Sequence, residues 1–298
     1  MIQDSTYQET YPRLFALAYR LTGSVADAED AIQEAWIRLL NEPTGKINTP
    51  AHWLYRTVSN LAIDALRAAK RTATGYHGPW LPEPIATNQY FPDPETEAIV
   101  REDLSMALLL MLEHLTPVQR AVWVLRTSLE LPFADIGDML GQTEANCRQL
   151  FRRAQDRLQR SDEHELVDAP AEMVASFIAA VQSGNADAVA QLLLDDAVWI
   201  GDGGGVKPAT ARPVLGADNV SRGLAGVFRK TADLFWLEPA SINQAAGMLV
   251  RTADGIELAY TFLVKDGKIS HVLAVRNPHK LAGMSPREIQ PPSLGPGT

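Results

Sequence analysis

Five prolines between residues 76 and 100 prevent a helix from running through that part of the chain. Proline has no backbone N–H, clashes with the preceding helical turn, and drives the residue before it toward extended geometry. These prolines are Pro79, Pro82, Pro84, Pro92 and Pro94. We therefore predict a proline-rich linker over residues 73–100.

The linker also carries large apolar side chains that a purely solvated spacer does not need. Tyr76, Trp80 and Leu81 lie between its first prolines. Extended proline-rich chain with aromatic anchors docks well on another protein surface. We expect this part of the linker to contact another domain, although local packing of Trp80 is the simpler alternative.

Apolar residues recur at helical spacing in three stretches before the linker, within residues 14–21, 32–39 and 54–65. Ser24 with Asp27 resembles a capping box, and Thr49 followed by Pro50 places a cap before a proline at the first helical position. Residues 1–72 are therefore predicted to form an antiparallel helical bundle.

Helical patterns resume after the linker and end in a helix-turn-helix. One helix is predicted at Glu102–His114, and the next begins at the capping box Thr116–Gln119. Two further helices, Pro132–Leu140 and Thr143–Leu158, flank a short turn that contains Gly141. Residues 101–160 are predicted to form a second all-α domain.

The pattern changes to α+β within residues 168–284. Helices are predicted at Met173–Val181 and Ala186–Leu194, and strands at Val198–Ile200, Met248–Arg251, Ile256–Val264 and Ile269–Val275. The pairs Asp254-Gly255 and Asp266-Gly267 predict hairpins between the last three strands. We expect two helices on a curved antiparallel sheet, followed by a disordered proline-rich tail at 285–298.

The chain has 298 residues and a net charge of −9, which argues against non-specific coating of nucleic acid or anionic lipid. By segment, however, 1–75 and 101–160 each balance eight basic against eight acidic residues, and the linker and the C-terminal part hold the acidic excess. Arginines are concentrated toward the C-terminal end of each balanced segment. Local nucleic-acid contacts therefore stay compatible with the overall charge.

Cys147 is the single cysteine, so an internal disulfide is impossible and a cysteine-based metal site is implausible. Its apolar helix position predicts a small packed side chain. With no targeting or membrane-spanning pattern, we expect a cytoplasmic protein without membrane association, cofactor or metal.

Two helices present side chains suited to DNA. On the predicted third helix a cationic and hydrogen-bonding stripe comprises Arg56, Asn60, Asp64, Arg67, Lys70 and Arg71. An ordinary solvated face is the alternative there. On the second helix of the helix-turn-helix the outer side chains are Thr143, Glu144, Asn146, Arg148, Gln149, Arg152 and Arg153, a set typical of a recognition helix. A plain αα-hairpin would show the same core.

Several segments resemble a known family. DAEDAIQEAWIRLL (27–40) with TPAHWLYRTVSNLAIDALRAAKR (49–71) resembles the second conserved domain of bacterial extracytoplasmic-function sigma factors, and residues 115–158 resemble their fourth domain. YHGPWLPEP (76–84), GDGGGVKP (201–208) and NPHKL (277–281) resemble the subgroup with a fused SnoaL-like extension. The resemblance implies a multidomain fold, with two all-α sigma domains followed by an α+β SnoaL-like cone.

The resemblance also implies residue roles. Core RNA polymerase would be contacted by Asp27, Asp30, Gln33, Glu34 and Trp36. Asn60, Asp64 and Arg67 match the helix that meets the minus-ten promoter element, and the loop Glu42–Asn48 matches one that captures a flipped base. Arg148, Gln149, Arg152 and Arg153 match the helix that reads the minus-thirty-five element.

We expect the C-terminal domain to regulate the sigma domains in cis, because a tethered domain acts at an effective concentration near the millimolar range. The predicted regulatory contact comprises Trp80, Leu81, Asp202, Gly203, Gly204, Gly205, Lys207, Asn277, Pro278, Lys280 and Leu281. With regulation in cis, we also expect a monomer that needs no separate anti-sigma factor and is not an enzyme.

Two alternatives stay open. In one, a bifunctional DNA-binding protein uses its cone to bind or transform a small molecule, with Asp202 and His271 as candidate acid–base groups. In the other, the chain is a one-component repressor, which would not need the 27–40 helix. A glycine-rich turn at 203–205 has a simple structural explanation as well, since it permits close approach of another backbone.

Overall fold

The computed structural model describes residues 2–42, 47, 49–72, 75–86, 104–231, 233–281 and 284. Most of the predicted Glu42–Asn48 loop, the start of the predicted helix at Glu102, and the predicted tail at 285–298 lie outside these residues. In the described part, helices precede residue 160 and a sheet with helices follows.

Three helices form the N-terminal bundle: α1 (Ile2–Thr22), α2 (Val25–Asn41) and α3 (Pro50–Thr72). Ser24 caps α2, because its Oγ accepts a hydrogen bond from the Asp27 backbone N–H at 3.2 Å. Helix α3 begins at Pro50, as the sequence predicts. Each helix packs against the other two.

Four helices follow the linker: α4 (Met106–Glu113), α5 (Pro117–Ser128), α6 (Phe133–Leu140) and α7 (Glu144–Gln159). The predicted capping box is present at the start of α5, with Thr116 and Gln119 each bonding the other's backbone N–H. Gly141 ends α6 in the left-handed conformation at φ +64°, so α6 and α7 form the predicted helix-turn-helix.

The C-terminal domain combines helices with a seven-stranded sheet. Its elements in chain order are β1 (Val167–Asp168), α8 (Ala171–Gln182), α9 (Ala186–Leu192), β2 (Leu193–Asp202), β3 (Val214–Leu215), α10 (Ala217–Thr231), β4 (Trp236–Ile242), β5 (Ala245–Thr252), β6 (Gly255–Lys265), β7 (Lys268–Val275) and α11 (Pro278–Leu281). The strand order is β3-β2-β7-β6-β5-β4, and β1 pairs with β6.

The predicted antiparallel sheet is wrong in one respect, because β2 and β7 run parallel. A strand that returns from a different part of the domain leaves no turn signal in the sequence, so its direction could not be read locally. The other sheet pairs are antiparallel, and the two Asp-Gly hairpins connect β5, β6 and β7 as predicted.

Helix α10 and strand β4 were not predicted, so in the described part of the domain three helices, α8, α9 and α10, pack on the sheet where two were expected. Gly223 and Gly226 disfavour a helix in the sequence of α10, although Val220, Leu224 and Phe228 are buried at helical spacing. Pro239 argues against a strand, but β4 lies at the sheet edge, where a missing N–H is tolerated. Helix α9 ends at Leu192 and not at the predicted Leu194, because β2 begins at Leu193.

The described residues form three apolar cores. One continuous core runs through α1–α3 and on into α4–α7, and a second lies between the sheet and helices α8–α10. The third covers the opposite face of the sheet, where Leu81 and Ala86 of the linker and Met106 of α4 pack beside Leu263 and Leu273. The linker and the second helical domain thus cover a sheet face that would otherwise be exposed.

Within the described residues, no helix is both long enough and apolar enough to cross a membrane.

Candidate functional site

A fully buried carboxylate, Asp202 at the end of β2, binds the linker. Its Oδ1 accepts a hydrogen bond from the Tyr76 hydroxyl at 2.6 Å, and its Oδ2 accepts one from the Leu81 backbone N–H at 2.9 Å. The Gly204 N–H adds a third bond to Oδ1 at 3.0 Å. Hydrogen bonds to a carboxylate are among the stronger ones in proteins, so Asp202 fixes the path of the linker over the C-terminal domain.

Lys280 supplies the opposite charge. Its Nζ lies 2.7 Å from Asp202 Oδ2, also donates to the Leu81 carbonyl, and lies 4.2 Å from the centre of the Trp80 ring. Burial lowers the pKa of this ammonium group, and the nearby Asp202 carboxylate opposes that effect. We call the bonds and ring contacts of Asp202, Asn277 and Lys280 with residues 76–81 the linker contact.

The glycine-rich turn after β2 brings these groups together. Gly204 has φ +60°, and a Cβ there would overlap the side-chain amide of Asn277. A Cβ on Gly205, with φ +73°, would come within 3.0 Å of His77 Cβ. Asn277 Nδ2 in turn donates to the Tyr76 hydroxyl at 3.2 Å. The turn therefore needs glycine both for backbone conformation and for the close approach of the linker.

The other side of the linker binds the N-terminal bundle. Glu83 accepts hydrogen bonds from the Ser24 hydroxyl at 2.9 Å and from the Val25 N–H at 2.7 Å, at the start of α2. Burial raises the pKa of the Glu83 carboxyl, while these bonds partly offset the rise. A Cβ on Gly23 would collide with the Trp80 ring, so this glycine makes room for the linker.

Asn243, in the turn between β4 and β5, bonds three different parts of the chain. Its Nδ2 donates to the Tyr19 hydroxyl of α1 at 2.8 Å and to the Leu104 carbonyl at 2.9 Å, and its Oδ1 accepts from the Ile85 N–H at 3.0 Å. Asn243 is fully buried, and its backbone is in the left-handed region at φ +52°. One amide thus joins the bundle, the linker and the residues that lead into α4.

The remaining residues of the predicted regulatory contact are placed as follows. Leu81 and Leu281 are buried together in the third core. Pro278 is exposed and begins α11. Lys207 departs from the prediction, because its ammonium group bonds Glu257 at 3.2 Å and not the linker.

The predicted DNA stripe on α3 is partly engaged by the second helical domain. Lys70 Nζ lies 3.3 Å from the Glu113 carboxylate at the end of α4, and Arg56 donates to the Asp138 carbonyl of α6 at 3.4 Å. Arg67 pairs with Asp64 on the same helix at 3.1 Å, while Arg71 is exposed and Asn60 half-buried. Two of the cations expected to meet DNA therefore contact protein in this arrangement.

The predicted recognition helix α7 presents an open polar face. Thr143 caps it, Asn146 donates to Gln142 at 2.6 Å, and Arg148 pairs with Glu144 while its guanidinium lies 5.2 Å from the Phe133 ring centre. Gln149, Arg152 and Arg153 are exposed to solvent along this face, as are Thr143, Glu144 and Arg148. Cys147 is buried below them, as predicted.

The predicted polymerase-binding residues divide into two groups. Asp30, Gln33 and Glu34 are exposed on α2, and Asp27 is half-buried with a pKa raised by burial. Trp36 is 2% exposed and packs edge-on against Tyr7 with ring centres 4.7 Å apart. In this structure the Trp36 ring therefore belongs to the bundle core, and a contact of this residue with core polymerase stays a prediction.

The two predicted DNA-reading helices lie close together, since α5 packs between α3 and α7. Arg120 of α5 is fully buried, donates to the Arg20 carbonyl of α1 at 2.8 Å and also binds Glu113. A buried guanidinium at this point ties the second helical domain to the bundle.

A cavity of about 350 Å³ lies in the C-terminal domain between α10 and the sheet. Neither Asp202 nor His271 lines it: Asp202 bonds the linker, and His271 lies 3.1 Å from the Ser270 hydroxyl. The acid–base pair considered from the sequence is therefore not assembled in this cavity.

Sequence reasoning missed three residues of this site: Glu83, Asn243 and Tyr19. Their partners lie 58 to 224 positions away along the chain, so no local pattern indicates them. One weak signal exists, because Asn243 lies in a two-residue hairpin turn and asparagine tolerates positive φ.

Comparison with known proteins gives consistent results. Residues 6–72 match the family model described as Sigma-70 region 2, and residues 105–158 match Sigma-70, region 4. The chain is 34% identical to the ECF RNA polymerase sigma factor SigJ of Mycobacterium tuberculosis, over 98% of this chain and 97% of that protein. It is 29% identical to a probable ECF RNA polymerase sigma factor SigI of the same species, over 90% of this chain and 91% of that one.

A crystal structure of the Mycobacterium tuberculosis extracytoplasmic function sigma factor SigJ is also similar, with a TM-score of 0.75 and 32% identity. The match covers 95% of this chain and 99% of that one. The similarity therefore extends over the helical domains and the C-terminal α+β domain together.

Proposed function

The chain belongs to the extracytoplasmic-function RNA polymerase sigma factors, and on that premise we propose that its C-terminal domain holds the two DNA-binding domains in a closed, inactive arrangement. The predicted family, the fold class and the sigma-factor function are confirmed by the family matches and the full-length relative. The protein accordingly partners with core RNA polymerase and promoter DNA. Its place of action is proposed to be the cytoplasm, where polymerase works.

The exposed acidic and amide groups of α2 are proposed to contact core polymerase, with Trp36 supporting that helix from inside the bundle. Asn60, Asp64 and Arg67 are proposed to meet the minus-ten element, with Arg56, Lys70 and Arg71 gripping phosphates. The exposed side chains of α7 are proposed to read the minus-thirty-five element in the major groove. The charge of these groups supports the assignment, as does the exposure of Asp30, Gln33, Glu34, Asp64, Arg71, Gln149, Arg152 and Arg153.

The spacing of promoter elements requires the molecule to open. Elements centred near positions minus ten and minus thirty-five are separated by roughly 25 base pairs, or about 85 Å of B-form helix. Helices α3 and α7 are separated by the single helix α5, which corresponds to about 20 Å at ordinary interhelical distances. The closed arrangement therefore cannot place both helices on their elements at once.

The observation that carries the regulatory proposal is the burial of Asp202 against the linker. Its bonds to Tyr76 and Leu81, together with those of Asn243 to Tyr19 and Leu104, connect the C-terminal domain to both sigma domains. Because all partners lie on one chain, even individually weak contacts act at high effective concentration. A monomer with no separate anti-sigma factor follows from this proposal.

The test compares promoter-dependent transcription by core polymerase with the full chain and with its Asp202→Asn variant. Loss of the carboxylate weakens the linker contact and releases Arg56 and Lys70, so we expect the variant to give several-fold more transcript per molecule. Asp196→Asn removes an exposed carboxylate from the same strand and serves as the matched control. Equal transcription from all three proteins would contradict the proposal.

A further inference from the structure

The cavity in the C-terminal domain is lined mainly by apolar and aromatic side chains. Trp199 of β2, Phe228 of α10, Phe235, Leu258 and Tyr260 of β6 form much of its wall. A volume of about 350 Å³ falls in the range of small-molecule sites, which are typically apolar with few polar groups. The cavity has the size and lining of a site for a ring-containing apolar molecule.

Two hydrogen-bond donors of this wall have no partner among the described residues. The indole Nε1 of Trp199 is buried and unbonded. Tyr260 is 1% exposed, and no described residue bonds its hydroxyl. Burial raises the pKa of this phenol, which therefore stays protonated and able to donate at neutral pH. Buried donors without partners cost free energy, and a ligand acceptor would remove that cost.

The charged groups of the wall neutralise each other. Arg276 donates to the Glu257 carboxylate at 2.7 and 3.0 Å and to the Pro208 carbonyl at 2.8 Å. Glu257 also accepts from Lys207. An anionic ligand would have to compete with Glu257 for this guanidinium, so the cavity favours a neutral molecule.

We propose that this cavity binds a neutral, ring-containing carbonyl compound whose oxygen accepts hydrogen bonds from Tyr260 and Trp199. The aromatic wall contacts the rings, and the two donors select the carbonyl oxygen. Exposed apolar residues at and beside the cavity, Val227 on α10 and Leu234 and Trp236 beside Phe235, give an apolar surface along which such a molecule can enter.

Occupation of the cavity would reach the linker contact through two strands. Gly201 and Arg276 line the cavity, and each directly precedes a residue of the linker contact, Asp202 and Asn277. The Arg276 N–H also donates to the Asp202 carbonyl at 2.7 Å. This second part rests on the proposed function, because it makes the ligand an effector of the closed arrangement.

Binding is tested on the full chain by calorimetric titration with 1-acetonaphthone and with 1-ethylnaphthalene, which has a similar shape without the carbonyl. We expect the ketone to bind about tenfold more tightly, and Tyr260→Phe to remove most of that preference. Ala274→Leu, which fills the cavity from β7, should abolish binding of both probes, whereas Val206→Ala outside the cavity should change neither. Absence of ketone binding to the wild type, or binding unaffected by both cavity variants, would overturn the site.

The effector role is tested by limited proteolysis of the linker with and without 1-acetonaphthone. The ketone should change the cleavage rate several-fold in the wild type and leave it unchanged in Asp202→Asn, which keeps the cavity and still binds. An unchanged wild-type rate with ketone bound would overturn the effector role alone. If the linker of Asp202→Asn without ketone were cleaved at the wild-type rate, this would instead count against the proposed linker contact. The result on ketone binding would stand.

Discussion

Asp202 and Lys280 carry opposite charges in a place that water does not reach, so each depends on the other. A buried ion pair adds little stability relative to an apolar pair, but removal of one partner leaves an uncompensated charge in a low-dielectric site. Here the remaining hydrogen bonds from Tyr76 and Leu81 also favour the ionised carboxylate. Loss of Lys280 should therefore affect the linker contact as a whole.

Lys280→Met is predicted to lower the free energy of unfolding by about 3–5 kcal/mol, the usual cost of breaking a buried pair. Urea denaturation of the full chain measures this change. Lys268→Met removes an exposed ammonium group from the start of β7 and should change stability by less than about 0.5 kcal/mol. Similar losses in the two variants would show that the Lys280 charge is not compensating Asp202.

Two carboxyl groups between domains predict a pH dependence of the closed form. Burial raises the pKa of both Glu83, which binds the start of α2, and Asp168, which accepts from Ser105 at 2.7 Å. A raised folded pKa means that the folded state binds protons more strongly than the unfolded state. Their contribution to stability is thus complete below the unfolded pKa and lost as the pH rises through the folded pKa.

These groups should therefore raise the free energy of unfolding, measured by urea denaturation, as the pH falls from 7 toward about 4.5, the ordinary range of a carboxyl pKa. In Glu83→Gln this part of the pH dependence should decrease, because the amide does not titrate. Glu172→Gln, an exposed carboxyl on α8, is the control. An identical pH profile for wild type and Glu83→Gln would rule out titration of this group.

The turn between β2 and β3 shows how one short element determines the position of the linker. Gly204→Ala would introduce strain at φ +60° and displace Asn277 from the Tyr76 hydroxyl. We predict several-fold faster proteolytic cleavage of the linker in this variant. Gly184→Ala has the same backbone strain at φ +68° with nothing within 4 Å of the new Cβ, and its linker should be cleaved at the wild-type rate. Equal rates in both variants would contradict a specific role for Gly204.

The helices of both sigma domains could be predicted because their evidence is local. Caps at Ser24 and Thr116 and periodic apolar faces are properties of neighbouring residues. Helix α10 and strand β4 could not, because Gly223, Gly226 and Pro239 oppose each element and tertiary packing overrides that preference. The parallel pairing of β2 with β7 likewise depends on where a distant strand lies.

The candidate site divides in the same way. Asp202, the three glycines and Asn277 were found through the resemblance of short motifs, which places residues together without giving their bonds. Asn243 lies outside those motifs and Glu83 lies within one of them, but the roles of both follow only from contacts between domains. The burial of Trp36 could likewise not be inferred from its motif position, because it depends on how three helices pack together.

The closed molecule is held by one continuous core that joins both helical domains and by a sheet face that the linker covers. Opening must separate α4–α7 from the bundle and expose part of these apolar surfaces. Core polymerase and promoter DNA would have to compensate that loss with contacts that the closed form does not offer. Free chain and polymerase-bound chain are therefore expected to differ greatly in shape.

The distance between α3 and α7 in solution tests this claim most directly. Spin labels are attached at Ala68→Cys on α3 and Gln155→Cys on α7, two exposed positions, in a Cys147→Ala background. Pulsed electron paramagnetic resonance then measures the distance between the two labels. We expect a single short distance for the free full chain and a distance tens of ångströms longer with core polymerase and promoter DNA. A long distance in the free chain, or a short one in the complex, would contradict this expectation.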